Sequence, residues 1–276
     1  EKVLSPRNVT PNSFGRLYSL VVDGTIAAQP LFVPNVQLAG GLKDVLYVAT
    51  RKNNVYAFDV GTPSLTPPQR LLWSVTLRDN RGLGAEELPG MDHRFPGDNR
   101  PLCLQTHGPA GINSTPVIDP NSNTMWVVYR TSSPLSKNVY DAGFYIRKLD
   151  IRTGQTIVDQ PIAPSDSAFD ANKVLTRTGL LLDHGVIHIG FAGAVCDDGG
   201  GDPALPTRPH GWIAAIDAAS LSLIATLNTT PNSSLGGIWQ STYGLAADNS
   251  GYVYAFTGNN RSLPNGIGGE MSEAAL

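Results

Sequence analysis

Between residues 44 and 60 the chain reads DVLYVATRKNNVYAFDV: apolar and polar positions alternate, the alternation stops at Lys52-Asn53-Asn54, and then it resumes. A period of two on both sides of a short polar break predicts two antiparallel strands joined by a turn. The texture returns along the chain, and three kinds of segment recur in fixed order. The first is a short strand in which a small or polar residue precedes an apolar pair: AAQPLFV at 27–33, NSTPVID at 113–119, TRTGLLLD at 176–183 and STYGLAAD at 241–248. The second is strongly β-prone: VLYVAT from Val45, TMWVVYR from Thr124, GVIHIGF from Gly185 and GYVYAFTG from Gly251. The third ends in an aspartate and a turn, as in VYAFDVGT, YIRKLDIRTG and WIAAIDAAS, and a fourth strand closes the first three units as RLLWSVTL, QTIVDQPI and SLIATLNT.

Four short strands recurring roughly every 65 residues, with no helical period, predict an all-β fold, a β-propeller of four-stranded antiparallel blades. A β-sandwich shares the short strands but does not bring back an aspartate turn, Asp-x-x-Thr/Ser, after the same strand. The blades are expected at 26–78, 111–163 and 174–230, with a long inter-blade loop at 79–110 and an incomplete fourth blade at 236–276. Residues 14–25 have the outer-strand character of RLLWSVTL and are expected to serve as the outer strand of the closing blade. About three and a half blades leave strand edges open, so the remainder of the propeller is expected from the same precursor or from a second chain.

The run KLDIRTGQTIV, with its Leu-Asp-x-x-Thr-Gly turn, resembles the repeat of the quinoprotein alcohol dehydrogenase-like propellers. The segments SFGRLYSLVVDGTIAAQPLFVPNV, DVLYVATRKNNVYAFD, GINSTPVID, HGWIAAIDA and GGIWQS are similar to a secreted, PQQ-like branch of that superfamily, and the resemblance covers nearly the whole chain. It implies a complete ring of about eight blades. Enzymes of the superfamily hold their quinone with a disulfide between adjacent cysteines, a tryptophan floor, a calcium ion and a catalytic aspartate. This sequence has no Cys-Cys pair and no Cys-x-x-Cys-His site, so no catalytic residue is carried over and PQQ is not expected as a cofactor.

Composition narrows the partners. A formal net charge of −3 gives no reason to expect nucleic acid or an anionic membrane. No apolar run of about 18 residues is present, so no membrane span is expected. The chain opens at Glu1 without a leader and reads as processed. Asn-x-Ser/Thr triplets begin at Asn8, Asn113, Asn228, Asn232 and Asn260, which points to N-glycosylation and secretion. An Asn- and Thr-rich turn protein also generates such triplets without modification. Asn113 is the weakest of them, because Pro116 follows and an inner strand is expected there.

Strand reversal puts the loops after each second strand and the crossings between blades on one face of a propeller, and the long excursions at 79–110, 131–143, 193–211 and 258–270 all fall there. Cys103 and Cys196 lie on that face in neighbouring blades and are expected to form a disulfide, with two isolated thiols as the alternative. Cys103, His107, Cys196 and His210 could also approximate a zinc or copper set, although CLQTH matches no established short metal loop. Asp197, Asp198 and Asp202 on CDDGGGDP are candidates for Ca²⁺, against the plainer reading of a solvated acidic turn. Gln29, Thr115, Thr178 and Tyr243 occupy equivalent first-strand positions and are expected to face a central water-filled channel. His188 reads as structural, His184 and His93 as solvated, and Trp73, Trp126, Trp212 and Trp239 chiefly as packing. With no Gly-x-Ser-x-Gly, Walker or His-Glu-x-x-His motif, the expected function is extracellular: a glycosylated binding or scaffold module engaging a protein or glycan through its looped face. The alternatives are a quinone-dependent dehydrogenase of alcohols or sugars and a metal-dependent enzyme.

Overall fold

A computed structural model describes residues 4–85, 87–88, 108–136, 139–193, 209–232, 235–240 and 243–258; at 87–88, 108, 134–136 and 139–140 it describes the backbone alone. The first sheet runs β1 (Leu31–Leu38), β2 (Gly41–Ala49), β3 (Asn54–Asp59), β4 (Leu71–Thr76) in spatial order, every pair antiparallel. A two-stranded ladder, β5 (Glu87–Leu88) with β6 (Gly108–Pro109), lies in the crossing that follows. The second sheet contains β7 (Val117–Asp119), β8 (Thr124–Ser136), β9 (Val139–Asp150) and β10 (Thr156–Ile162). The third has β12 (Leu181–Asp183), β13 (Val186–Gly193), β14 (Trp212–Asp217) and β15 (Leu223–Asn228), with β11 (Val174–Leu175) also pairing with β13. A final pair, β16 (Ala246–Ala247) and β17 (Val253–Tyr254), begins a fourth blade. No α-helix occurs among the described residues, and so none is long and apolar enough to cross a membrane.

Each blade is fixed by the aspartate that ends its third strand. Asp59 accepts hydrogen bonds from the N–H groups of Gly61 and Thr62, both at 3.0 Å, and from the Thr62 hydroxyl at 2.6 Å. Asp150 accepts from the Arg152 N–H at 2.7 Å, and Asp217 from the Ser220 N–H and hydroxyl, both at 2.7 Å. A carboxylate that gathers the N–H groups after it holds a tight turn before any tertiary contact forms. The next residue then donates its own N–H back to the first hairpin of the blade: Val60 to Asp44 O (2.9 Å), Ile151 to Asn123 O (3.0 Å) and Ala218 to Gly185 O (2.8 Å).

The carbonyls of those residues tie neighbouring blades together. Tyr47 Oη and Trp73 Nε1 of the first blade both donate to Ile151 O of the second, each at 3.0 Å. Trp126 Nε1 of the second donates to Ala218 O of the third at 2.9 Å. Apolar layers fill the spaces around these bonds. Val45, Val55, Leu77, Met125, Val127 and Leu149 pack between blades one and two, and Val128, Phe144, Ile187, Phe191, Trp212 and Ile216 between two and three. Ile238, Leu245 and Ala255 form a smaller core with Leu181 and Ile213 under the last pair. At the opening hairpin Asn53 is fully buried at φ +62°, and its Nδ2 donates to Arg130 O of the next blade at 2.9 Å. Residues 15–24 lie against the first blade, where Tyr18 takes the Arg70 guanidinium over its ring (4.1 Å), Asp23 N–H donates to Tyr56 Oη (3.0 Å) and Asp23 pairs with Lys52 (2.8 Å).

The crossing out of the first blade is anchored by a second aspartate. The Asp79 carboxylate is completely enclosed; it accepts from the N–H groups of Arg81 and Leu83 (both 2.9 Å), the Arg81 guanidinium (2.7 Å), and the hydroxyls of Thr131 (3.2 Å) and Tyr145 (3.3 Å) in the second blade. Burial by itself would raise the Asp79 pKa, but the donors outweigh it and hold the group below the ordinary carboxylate range.

Two predictions come from this scaffold. Gly154, at φ +73°, has its Cα hydrogen side against the Trp73 ring, where an added Cβ would stand 2.6 Å from Cε3; Gly185, at φ +80°, faces open space. Gly185→Ala is expected to destabilise by about 1 kcal/mol from backbone strain alone, and Gly154→Ala by about 3 kcal/mol because the ring must also move; denaturant unfolding of both variants measures the difference. For Asp79, a depressed folded pKa means stability that is present above the unfolded value near 4 and lost as pH falls toward the native one. Asp79→Asn is expected to lower stability at pH 7 by about 2 kcal/mol and to flatten the acid limb of a stability–pH curve, which stepwise melting from pH 7 to 3 records.

Candidate functional site

The second blade and the crossing at 163–173 enclose a cavity of ≈ 630 Å³ on the looped face, lined by Gly143, Phe144, Tyr145, Pro161, Ser167, Phe169, Asp170, Lys173 and, from the third blade, His210. Phe169 holds the crossing in place. Its ring packs edge-on against Phe144 (6.4 Å), Phe191 (5.3 Å) and Trp212 (5.5 Å), so a loop residue is built into the core between two blades. Arg130 Nε adds a bond to Ala171 O at 3.1 Å; burial draws the Arg130 pKa down to about 10, with the nearby Asp170 charge acting against it.

The polar groups of the cavity are placed by the same loop. Asp170 accepts from the Asn172 N–H (2.9 Å) and pairs with Lys173 (3.0 Å). Those donors outweigh its burial and keep it ionised below the usual range. His210 Nδ1 lies 2.8 Å from Thr230 O. A carbonyl only accepts, so Nδ1 is the donor in this contact and the ring is held in place by it. Aromatic surface, an ion pair, a hydroxyl in Ser167 and an imidazole held in one orientation are the elements of a recognition site of ligand size.

Of the residues singled out from the sequence, Cys103, Cys196, His107, His93, Asp197, Asp198, Asp202 and Asn260 lie outside the described residues. His210 is described and its Nδ1 is engaged by a backbone carbonyl, and no group of three His, Cys, Asp or Glu able to hold a metal occurs among the described residues. The first-strand set divides: Gln29 and Tyr243 are exposed, Thr178 is fully buried and Thr115 nearly so. The threonine hydroxyls join blades: Gln29 N–H donates to Thr115 Oγ1 (2.9 Å) and Thr178 Oγ1 to Ile238 O (3.0 Å). Asn8 and Asn232 are exposed and Asn228 is half-buried, whereas Asn113 is 5% exposed, a position from which no glycan can project in the folded chain.

Sequence reasoning missed the crossing at 163–173. The one available signal was Phe169 standing alone in the polar run SDSAFDANK, an apolar residue that a free loop has no use for.

No family model and no curated sequence matches the chain. Among solved structures it is similar to the quinohemoprotein alcohol dehydrogenase of Comamonas testosteroni, with a TM-score of 0.50 and 14% identity over 86% of this chain and 30% of that one. Quinohemoprotein alcohol dehydrogenase ADHIIG of Pseudomonas putida HK5 gives 0.49 and 15% over 88% and 30%, and BamB of Moraxella catarrhalis 0.29 and 10% over 92% and 64%. The chain therefore spans 30% of the length of the alcohol dehydrogenases it matches. The stacked four-stranded antiparallel sheets and the likeness to the Comamonas enzyme agree: the chain folds as part of a β-propeller, with the fold seen in that quinohemoprotein alcohol dehydrogenase.

Proposed function

We propose that the protein is an extracellular binding module, non-catalytic, whose looped face receives part of a glycan in the cavity between blades two and three. The observation that carries this reading is the loop at 163–173, pinned by Phe169 into the core while it presents Ser167, Asp170 and Lys173 to a space of ≈ 630 Å³. A sugar offers one apolar face and a rim of hydroxyls, which suits Phe169 on one side and the ion pair and His210 on the other. Glycans on the protein's own Asn8, Asn228 and Asn232, together with secretion, belong to the same reading.

A second reading, quinone-dependent oxidation of alcohols or sugars, is favoured by the likeness to a quinohemoprotein alcohol dehydrogenase. Fold alone does not carry activity. The quinone is a flat polycarboxylate, for which Arg177, standing over the Trp239 ring at 5.9 Å, and Arg51 supply suitable groups. No acidic cluster to hold an accompanying cation is present among the described residues, and the two cysteines are far apart in sequence. The described residues do not fit the group, and no step is derived through it.

The test is a glycan-array screen followed by titration of the best binder. Ser167→Trp plugs the cavity from an exposed position and is expected to weaken binding at least about tenfold with an unchanged unfolding midpoint. Equal binding by the variant, or dye-linked oxidation of an alcohol or sugar after incubation with PQQ and Ca²⁺, would overturn the reading.

A further inference from the structure

The loop that walls the cavity stands on a buried cation. Arg130 is 1% exposed and lies on the face of β8 that carries Trp126 and Val128 into the seam with blade three. Its Nε donates to Ala171 O at 3.1 Å, while Nη2 is enclosed without a hydrogen-bond partner, and no carboxylate among the described residues forms an ion pair with the group. Burial lowers its pKa only to about 10, so the guanidinium keeps its charge at neutral pH. An arginine enclosed without a counter-ion is uncommon, because the loss of hydration is normally offset by a partner. The carboxylate that acts on Arg130 does so through space, and it is Asp170 of the cavity wall.

Asp170 is thereby shared between two cations. It pairs with Lys173 at 3.0 Å where both reach the cavity, and it also answers the guanidinium beneath the loop. One carboxylate against an ammonium and a guanidinium leaves the set with one positive charge in excess. The other acid of the crossing does not cancel it: Asp166 is exposed, accepts the Ala168 N–H at 2.9 Å and is not part of the cavity lining. Lys173 has three donors and gives one to Asp170, so the excess charge comes with N–H groups at the wall able to meet an acceptor. A neutral sugar has no use for that charge. We infer that the cavity receives an acid group: its ligand is a sugar bearing a carboxylate or a sulfate, bound through Lys173, with Arg130 supplying a fixed positive potential from below. This rests on the glycan reading and names the class of glycan. Arg130 touches no ligand; it is a positioning residue that holds the loop through Ala171 O and offsets Asp170, and because water is excluded around it, its field is weakly screened.

The test titrates the full-length protein with an oligogalacturonate, with its methyl ester, and with a sulfated oligosaccharide of similar length. The ester keeps the shape of the sugar and removes its charge. At least one of the two acidic sugars is expected to bind at least about tenfold tighter than the ester, and which of them does so identifies the acid group. Lys173→Met is expected to abolish that preference while leaving the unfolding midpoint close to that of the wild type, because a part-exposed ion pair adds little stability. Removing buried Arg130 endangers the fold, so the charge balance is tested from the other side: Asp170→Asn still accepts the Asn172 N–H and is expected to bind the acidic sugar about threefold tighter. Weaker binding by Asp170→Asn would overturn the charge balance. Equal affinity for acid and ester, with both weakened by Ser167→Trp, would overturn the acid-group inference and leave the glycan reading standing. Binding that ignores Ser167→Trp would overturn both, and inorganic sulfate binding as tightly as the sulfated sugar would show a free oxyanion site in place of a sugar site.

Discussion

The carbonyl of Ile151 is the point on which the arrangement of the first two blades depends. A blade has two faces, and apolar packing between flat sheets leaves them free to slide, because burial has no direction. Two donors from one blade meeting a single oxygen of the next remove that freedom. The oxygen is available because Asp150 has already folded the turn and Asn123 has already taken the Ile151 N–H. Local capping, hairpin closure and blade docking are therefore nested, each placing the acceptor that the next uses.

The propeller was legible in the sequence because its determinants are local and repeated. Alternation in VLYVAT and VYAFD, and the aspartate turn after each third strand, are visible without knowing what lies beside them. Trp73 and Trp126 were readable as packing residues, but their shared kind of target was not, since a tryptophan carries no mark of the carbonyl it will meet 78 or 92 residues further on. Thr115 and Thr178 show the same limit from the other side. A threonine that lines water and a threonine that bonds two blades have the same side chain, and only the neighbouring strand decides between them.

The cavity was less legible still. Its wall is a crossing with no period, and its polar groups matter only because Phe169 is drawn between Phe144, Phe191 and Trp212 from three different strands. Such a site is made by tertiary packing acting on an ordinary loop. Loops held in this way combine the variability of surface segments with the positional accuracy of the core.

The first two interfaces differ in what accompanies their apolar layers. Between blades one and two, Tyr47 and Trp73 share Ile151 O and Asn53 reaches Arg130 O, polar bonds of fixed geometry set in the apolar layer of Val45, Val55 and Val127. Between two and three, one indole reaches Ala218 O and the aromatic group of Phe144, Phe169, Phe191 and Trp212 fills the space. Apolar association weakens on cooling, whereas hydrogen bonds do not follow that trend. Both seams carry a full apolar layer, so cooling weakens each of them, and the bonds to Ile151 O and Ala218 O are what hold the blades in register as it does.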